Sequence, residues 1–347
     1  MDRRTYLGVV ASALFAGCGG SGTGPTATPP ASAMESTAPS TPSTPTGKRG
    51  ETARQTESQP QPTESERQTD AIDEPNPALA AIAADVAAAI DSYTEAGDGD
   101  VPTDVMPDDL VNRSTVHASL YGARETRTDV RREALPAAER TRYDQLEGAF
   151  WFAWWLPSVQ LALYNAHSRL QKGWDSLLAQ DWDSALSDWR AVSGKTSDGD
   201  DALSKLRNDS EATDMNGLDR LDPSDYRETV HQLEGLLADS EDLGAALTTM
   251  ADAFRRYDAG GEHDYLRAEQ QFQDSAEQLQ ATDWRPFYDR LAADALCASK
   301  AMAEGCALLD EAQQTTDTER TEILREEAQE EFDRCKVVDD AIYIEIV

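Results

Sequence analysis

Residues 149–164 read AFWFAWWLPSVQLALY, the most apolar run in the chain, and its reading decides the fold. As a membrane span it is short, since a bilayer needs about 20 apolar residues. Pro157 stands in mid-run, and Trp151, Trp154 and Trp155 lie centrally rather than at the interfaces a membrane helix would give them. As the central helix of a protein core, the same run is apolar all round because neighbours surround it. Charged residues flank it, with Arg142, Asp144 and Glu147 before it and His167 and Arg169 after it. We read it as a core helix, with a kink or break at Pro157.

Working outward, residues 167–192 (HSRLQKGWDSLLAQDWDSALSDWRAV) read as helix, short turn, helix. Upstream, Asn76-Pro77 is an N-cap followed by proline at the first helical position. An alanine-rich helix follows to about Glu95, and the run Gly97-Asp98-Gly99-Asp100 ends it. A second helical region covers roughly 108–132, interrupted near Gly122. Downstream, Asp222-Pro223 opens a helix to about Asp239, and Glu241–Tyr257 is another. Apolar residues recur at helical spacing over 262–281, 287–313 and 318–343. No reliable strand pattern is present; AIYIEIV at the end of the chain alternates but has no obvious partner. The reading is all-α, an antiparallel helical bundle or helix-hairpin array over residues 76–347.

Gly173, Trp182, Ala185 and Trp189 fall at spacings that resemble a tetratricopeptide repeat, and Tyr265, Ala268 and Phe272 repeat part of the pattern. The resemblance implies paired helices approaching at small residues with aromatics between them. Lys172 and Ser176 stand where that family has leucine and tyrosine, so generic antiparallel hairpins are the preferred reading.

The chain has 347 residues with Lys+Arg 31 against Asp+Glu 65, a net charge of −34. That excludes a nucleic-acid partner, which needs a basic face. Only 6 of the 31 basic residues are lysine. Such a carboxylate excess repels itself in dilute buffer, and molar salt screens the repulsion. The pattern resembles proteins of salt-loving archaea.

The N-terminus reads MDRRTYLGVVASALFAGC. Arg3-Arg4 with Thr5-Tyr6-Leu7 resembles a twin-arginine export signal, and the apolar run from Tyr6 to Ala16 is too short to span a bilayer. Phe15-Ala16-Gly17-Cys18 resembles a lipobox, with Phe15 where leucine is usual. With the acidic composition, the chain resembles a haloarchaeal twin-arginine lipoprotein. The resemblance implies a signal peptide over residues 1–17, lipid on Cys18, and a location on the outer face of the cell membrane. A two-chain lipid would give the stable attachment that a single acyl chain does not.

Residues 18–75 follow as a stalk. Nine of the chain's sixteen prolines lie there, and large apolar residues are nearly absent. Such a Ser/Thr/Pro-rich segment cannot offset its ordering entropy, so we expect a disordered tether spanning about 40 Å. Its Gly19–Gly24 run lacks the lysine, strand and helix of a phosphate loop.

Chemistry-bearing residues are sparse. With Cys18 assigned to lipid, Cys297, Cys306 and Cys335 remain. Residues 314–317 look like a hairpin turn, and Cys297 and Cys335 are symmetric about residue 316. Two readings stay open here: a Cys297–Cys335 disulfide suited to an oxidising exterior, or three buried thiols. Glu228, His231 and Glu234 share a helix face in the spacing of carboxylate-bridged metal bundles, but no second such set accompanies them, so a solvated face is preferred. Asn112-Arg-Ser114 and Asn208-Asp-Ser210 are N-glycosylation sequons, the second in a polar, loop-like stretch. No nucleophile motif, zinc spacing or EF-hand register appears, so neither a cofactor nor a catalytic set is expected. The functional expectation is a membrane-anchored extracytoplasmic helical lipoprotein with a binding or assembly role, met by a protein partner at the cell surface. The alternative is a metal- or small-solute-binding helical bundle, with or without enzymatic activity, centred on Glu228, His231 and Glu234 or on the tryptophan-rich core.

Overall fold

The computed structural model describes residues 76–260 and 263–341. The signal, Cys18, the stalk and residues 342–347 lie outside them. The described residues form nine α-helices and no strand: α1 (Pro77–Thr94), α2 (Arg113–Asp129), α3 (Ala137–Leu178), α4 (Trp182–Asp209), α5 (Pro223–Ala259), α6 (Asp264–Ala281), α7 (Pro286–Gln314), α8 (Thr318–Asp333) and α9 (Lys336–Ala341). The fold is an all-α array of helices.

Helix starts follow local chemistry. The side chains of Asn76, Asn112, Asp181, Asp222 and Asp317 each accept a backbone N–H in the first turn of the following helix. Proline follows directly at Pro77 and Pro223. From α3 to α8, each helix packs on the next in chain order, and α1 and α2 pack on each other and on α3. The α3–α4, α6–α7 and α7–α8 connections are only a few residues long, which forces antiparallel neighbours. The core is a continuous set of aliphatic and aromatic side chains, with Trp189, Tyr93, Tyr288, Phe150 and Phe152 among the largest fully buried.

Four expectations are corrected. Gly122 does not interrupt α2. It lies against the Asp85 carboxylate of α1, where a Cβ would collide, so it marks a close helix approach. Pro157 does not end its helix. α3 runs 42 residues through it, Pro157 is buried, and α1, α2, α4 and α5 pack along the helix; that packing outweighs one missing N–H donor. Asp239-Ser240 is no boundary either, since α5 is one helix over Pro223–Ala259. The Ser240 hydroxyl lies 2.7 Å from both the Leu236 carbonyl and the Tyr288 hydroxyl, so the polar pair is satisfied inside the core. Conversely, the single helix expected over 318–343 is two, α8 and α9, parted at Arg334 and Cys335.

No helix among the described residues is long and apolar enough to cross a membrane. Buried Gln160 of α3 donates to the carbonyls of Met106 (2.5 Å) and Asp109 (3.2 Å), fixing the loop before α2 onto the array.

Candidate functional site

α3 is not apolar on every side in the sense its sequence suggests. Phe150, Phe152, Ala153, Leu156, Val159 and Leu163 are buried, whereas Trp151, Trp154 and Trp155 are only half-buried. The three tryptophans share a stripe of α3 by their 3/4 spacing. α2 and α4 flank this stripe. From α2, His117 stacks on Trp154 at 4.1 Å and 5°, with Nε2 3.1 Å from the Trp154 carbonyl oxygen. The Arg127 guanidinium lies over the rings of Phe150 (4.3 Å) and Trp151 (5.1 Å). From α4, the Lys205 ammonium lies 5.2 Å from the Trp155 ring, and Trp155 Nε1 donates to the Asp209 carboxylate at 2.8 Å.

Two open cavities adjoin this stripe. One, of about 440 Å³, is acidic: Asp144, Glu147, Asp209, Glu211 and Asp214 surround Trp151. Gly148 leaves the space that the Asp214 carboxyl occupies. Burial raises the Asp214 pKa above the usual carboxylate value, and the charges of Glu211 and Asp144 add to the shift against an opposing backbone N–H bond. Asp144 shifts downward, because Arg132 hydrogen-bonds to it. The other cavity, of about 380 Å³, runs between α3 and α4 and mixes both charges with apolar surface. Its floor carries Trp155, Ser158, Leu161, Ala162 and Asn165 from α3, and its rim Asp198, Asp201 and Lys205 from α4 and Arg113 from α2. Neither cavity is lined by a histidine. These groups can hold and orient a ligand.

The residues singled out by sequence do not converge on this place. Arg3, Arg4 and Cys18 lie outside the described residues. Cys297 of α7 and Cys335, just before α9, form a disulfide with Cα atoms 5.7 Å apart. Cys306 is a free, buried thiol whose pKa burial pushes well up. Glu228, His231 and Glu234 are exposed on α5, and Glu234 accepts from Arg207 of α4 at 2.6 Å. No group of three His, Cys, Asp or Glu among the described residues is placed to hold a metal ion. Asn112 is exposed at the start of α2, and its side-chain oxygen caps Ser114 and Thr115. Asn208 is not in a loop, as expected, but in the last turn of α4. Its sequon partner Ser210 is buried, with the hydroxyl on the Leu206 carbonyl at 2.6 Å. The cavity residues Arg113, Ser158, Asn165, Asp201 and Lys205 were missed, since only the tryptophan spacing signals this region in the sequence.

The fold and its tryptophan stripe thus define an array of helical hairpins with a ligand-sized cleft between two neighbours. No protein-family model, no curated protein and no solved structure matches the chain.

Proposed function

We propose that this chain is a lipid-anchored binding protein on the extracytoplasmic face of the cell membrane. In this reading Arg3 and Arg4 direct export, residues 1–17 are removed, Cys18 carries the lipid, and residues 18–75 tether the helical domain of residues 76–347. The observation that carries it is the Cys297–Cys335 disulfide, a bond that persists in oxidising compartments. The net charge of −34 supports a hydrated, salt-adapted surface and argues against a nucleic-acid partner. The role is binding or assembly, with a protein partner at the cell surface. The α3–α4 cavity favours a second reading, in which the tethered domain holds a small solute.

Cell fractionation tests the address. The unaltered protein is expected in the membrane fraction, and Cys18→Ser in the soluble fraction. Replacing Arg3 and Arg4 by lysine leaves the chain in the cytosol. Recovery of the unaltered chain from the cytosol with residues 1–18 intact refutes the proposal. Alkylation of the denatured chain before and after reduction reads the disulfide, which predicts two further labelled cysteines after reduction.

A further inference from the structure

The α3–α4 cavity has an arrangement of charge that names a ligand class. Along α4, Asp198, Asp201 and Lys205 fall at i, i+3 and i+7, on one face. Lys205 stands opposite Trp155, and α3 and α4 are antiparallel, so Asp198 and Asp201 lie toward Asn165. Arg113, one turn before His117 on α2, completes the rim. Lys205 therefore marks the Trp155 end of the cleft and Asp198 and Asp201 the end toward Asn165, with Leu161 and Ala162 between and Arg113 adding a second cation to the rim.

Three of these four charges, Arg113, Asp201 and Lys205, have no ion-pair partner among the described residues. Asp201 and Lys205 are one turn apart in the acid-before-base order that favours pairing on a helix, yet no ion pair joins them; Lys205 lies over Trp155 instead. Arg113 has no carboxylate partner among the described residues either. Only Asp198 is committed, to Lys195 at 3.3 Å. On the floor, the Ser158 hydroxyl oxygen has no hydrogen-bond partner. A purely anionic ligand leaves Asp201 unmatched and meets a chain of net charge −34. A purely cationic one leaves Arg113 and Lys205 unmatched. A ligand with both charges satisfies both ends and carries no net charge. The levels of Asp201 and Lys205 along α4 differ by about 6 Å, the scale of the separation between the termini of a dipeptide. In molar salt the Debye length is about 3 Å, so contact-range pairs of this kind outlast long-range repulsion.

We propose that this cavity binds a zwitterion of dipeptide size, its carboxylate held by Arg113 and Lys205, its ammonium by Asp201, and its apolar body against Trp155 and Leu161. The proposal rests on the binding reading above and gives it a substrate class.

The test is titration of the full-length chain in molar KCl with L-alanyl-L-alanine, read by calorimetry and tryptophan fluorescence. Saturable binding with a Kd below about 1 mM is expected. The doubly capped analogue, N-acetyl-alanyl-alanine amide, keeps the shape without the charges and is expected to bind at least about tenfold more weakly. Lys205→Gln, Arg113→Gln and Asp201→Asn each weaken the free dipeptide by about tenfold, whereas Lys172→Gln, two turns beyond Asn165 on α3, changes nothing. Helical circular dichroism verifies folding of each variant; should one unfold, the comparison of free and capped dipeptide on the unaltered chain still decides. Equal binding of the two dipeptides, indifference to all three substitutions, or no saturable signal up to about 10 mM overturns the proposal. Any of these leaves the exported, tethered reading standing, because fractionation tests that separately.

Discussion

Asp239 lies on α5 at 4% exposure, where its carboxylate accepts the Arg285 backbone N–H at 3.2 Å and its guanidinium at 3.1 Å. Gly235, one turn earlier, leaves the space the guanidinium fills. The pair docks the start of α7 onto α5, so removing one partner strands a charge at a half-buried site. Asp239→Ala is expected to lower stability by about 3 kcal/mol in denaturant titration, and a loss under about 1 kcal/mol refutes this account. His167 carries a different effect. It packs against Phe287 at 5.0 Å with its Nδ1 unpartnered, and burial lowers its pKa from 6.5 while Asp108 opposes the shift weakly. His117 shifts in the same direction, again through burial first. With folded values below the unfolded ones, the unfolded chain binds protons first, so this stability is full above 6.5 and is lost as pH falls toward the lowered values. Denaturant midpoints from about pH 7.5 down to about pH 5 are expected to fall, and His167→Leu to reduce the slope; an unchanged slope counts against burial as the cause. At this scale the sequence shows caps such as Asn76 and Asp317, because a cap is a local bond. It does not show that Asp201 and Lys205 stay apart, because that depends on Trp155 from another helix.

Between α3 and α4, Gly173 lies beneath the ring of buried Trp189, whose Nε1 donates to the Leu170 carbonyl at 3.1 Å. A methyl group at 173 would occupy the indole's space. Two effects then compete in Gly173→Ala: alanine favours a helix by about 1 kcal/mol, and overpacking a fixed ring costs about 1–3 kcal/mol. The ring is 1% exposed and hydrogen-bonded, so overpacking wins. The variant is expected to unfold at lower denaturant with tryptophan emission altered; a stabilised variant shows that the ring can move. Small residue facing large aromatic is the relation the spacing of Gly173 and Trp189 suggests, and it was legible because both fall at helical period. Helix ends were less legible. Ser240 and Gly122 look like breaks because neither favours a helix interior, yet partners on other helices, Tyr288 and Asp85, occupy both positions. Pro157 is overridden in the same way, by burial within a 42-residue helix.

For the molecule as a whole, a net charge of −34 opposes compactness. Raising KCl from about 0.1 M to about 1 M shortens the Debye length from about 10 Å to about 3 Å. The thermal midpoint is expected to climb over that range, and a flat or falling midpoint refutes a salt-adapted surface. The sequence by itself determined that the array is all-helical, because 3.6-residue periodicity and side-chain caps are local properties of the chain. It also brought Cys297 and Cys335 to similar heights on one hairpin, through the symmetry of a short turn. Only the tertiary structure decided how far each helix runs, which face of the 149–164 run is left half-exposed, and that Arg113, Asp201 and Lys205 meet at one cleft. Those outcomes depend on which neighbours arrive from distant parts of the chain, and packing between elements overrides what a single helix prefers.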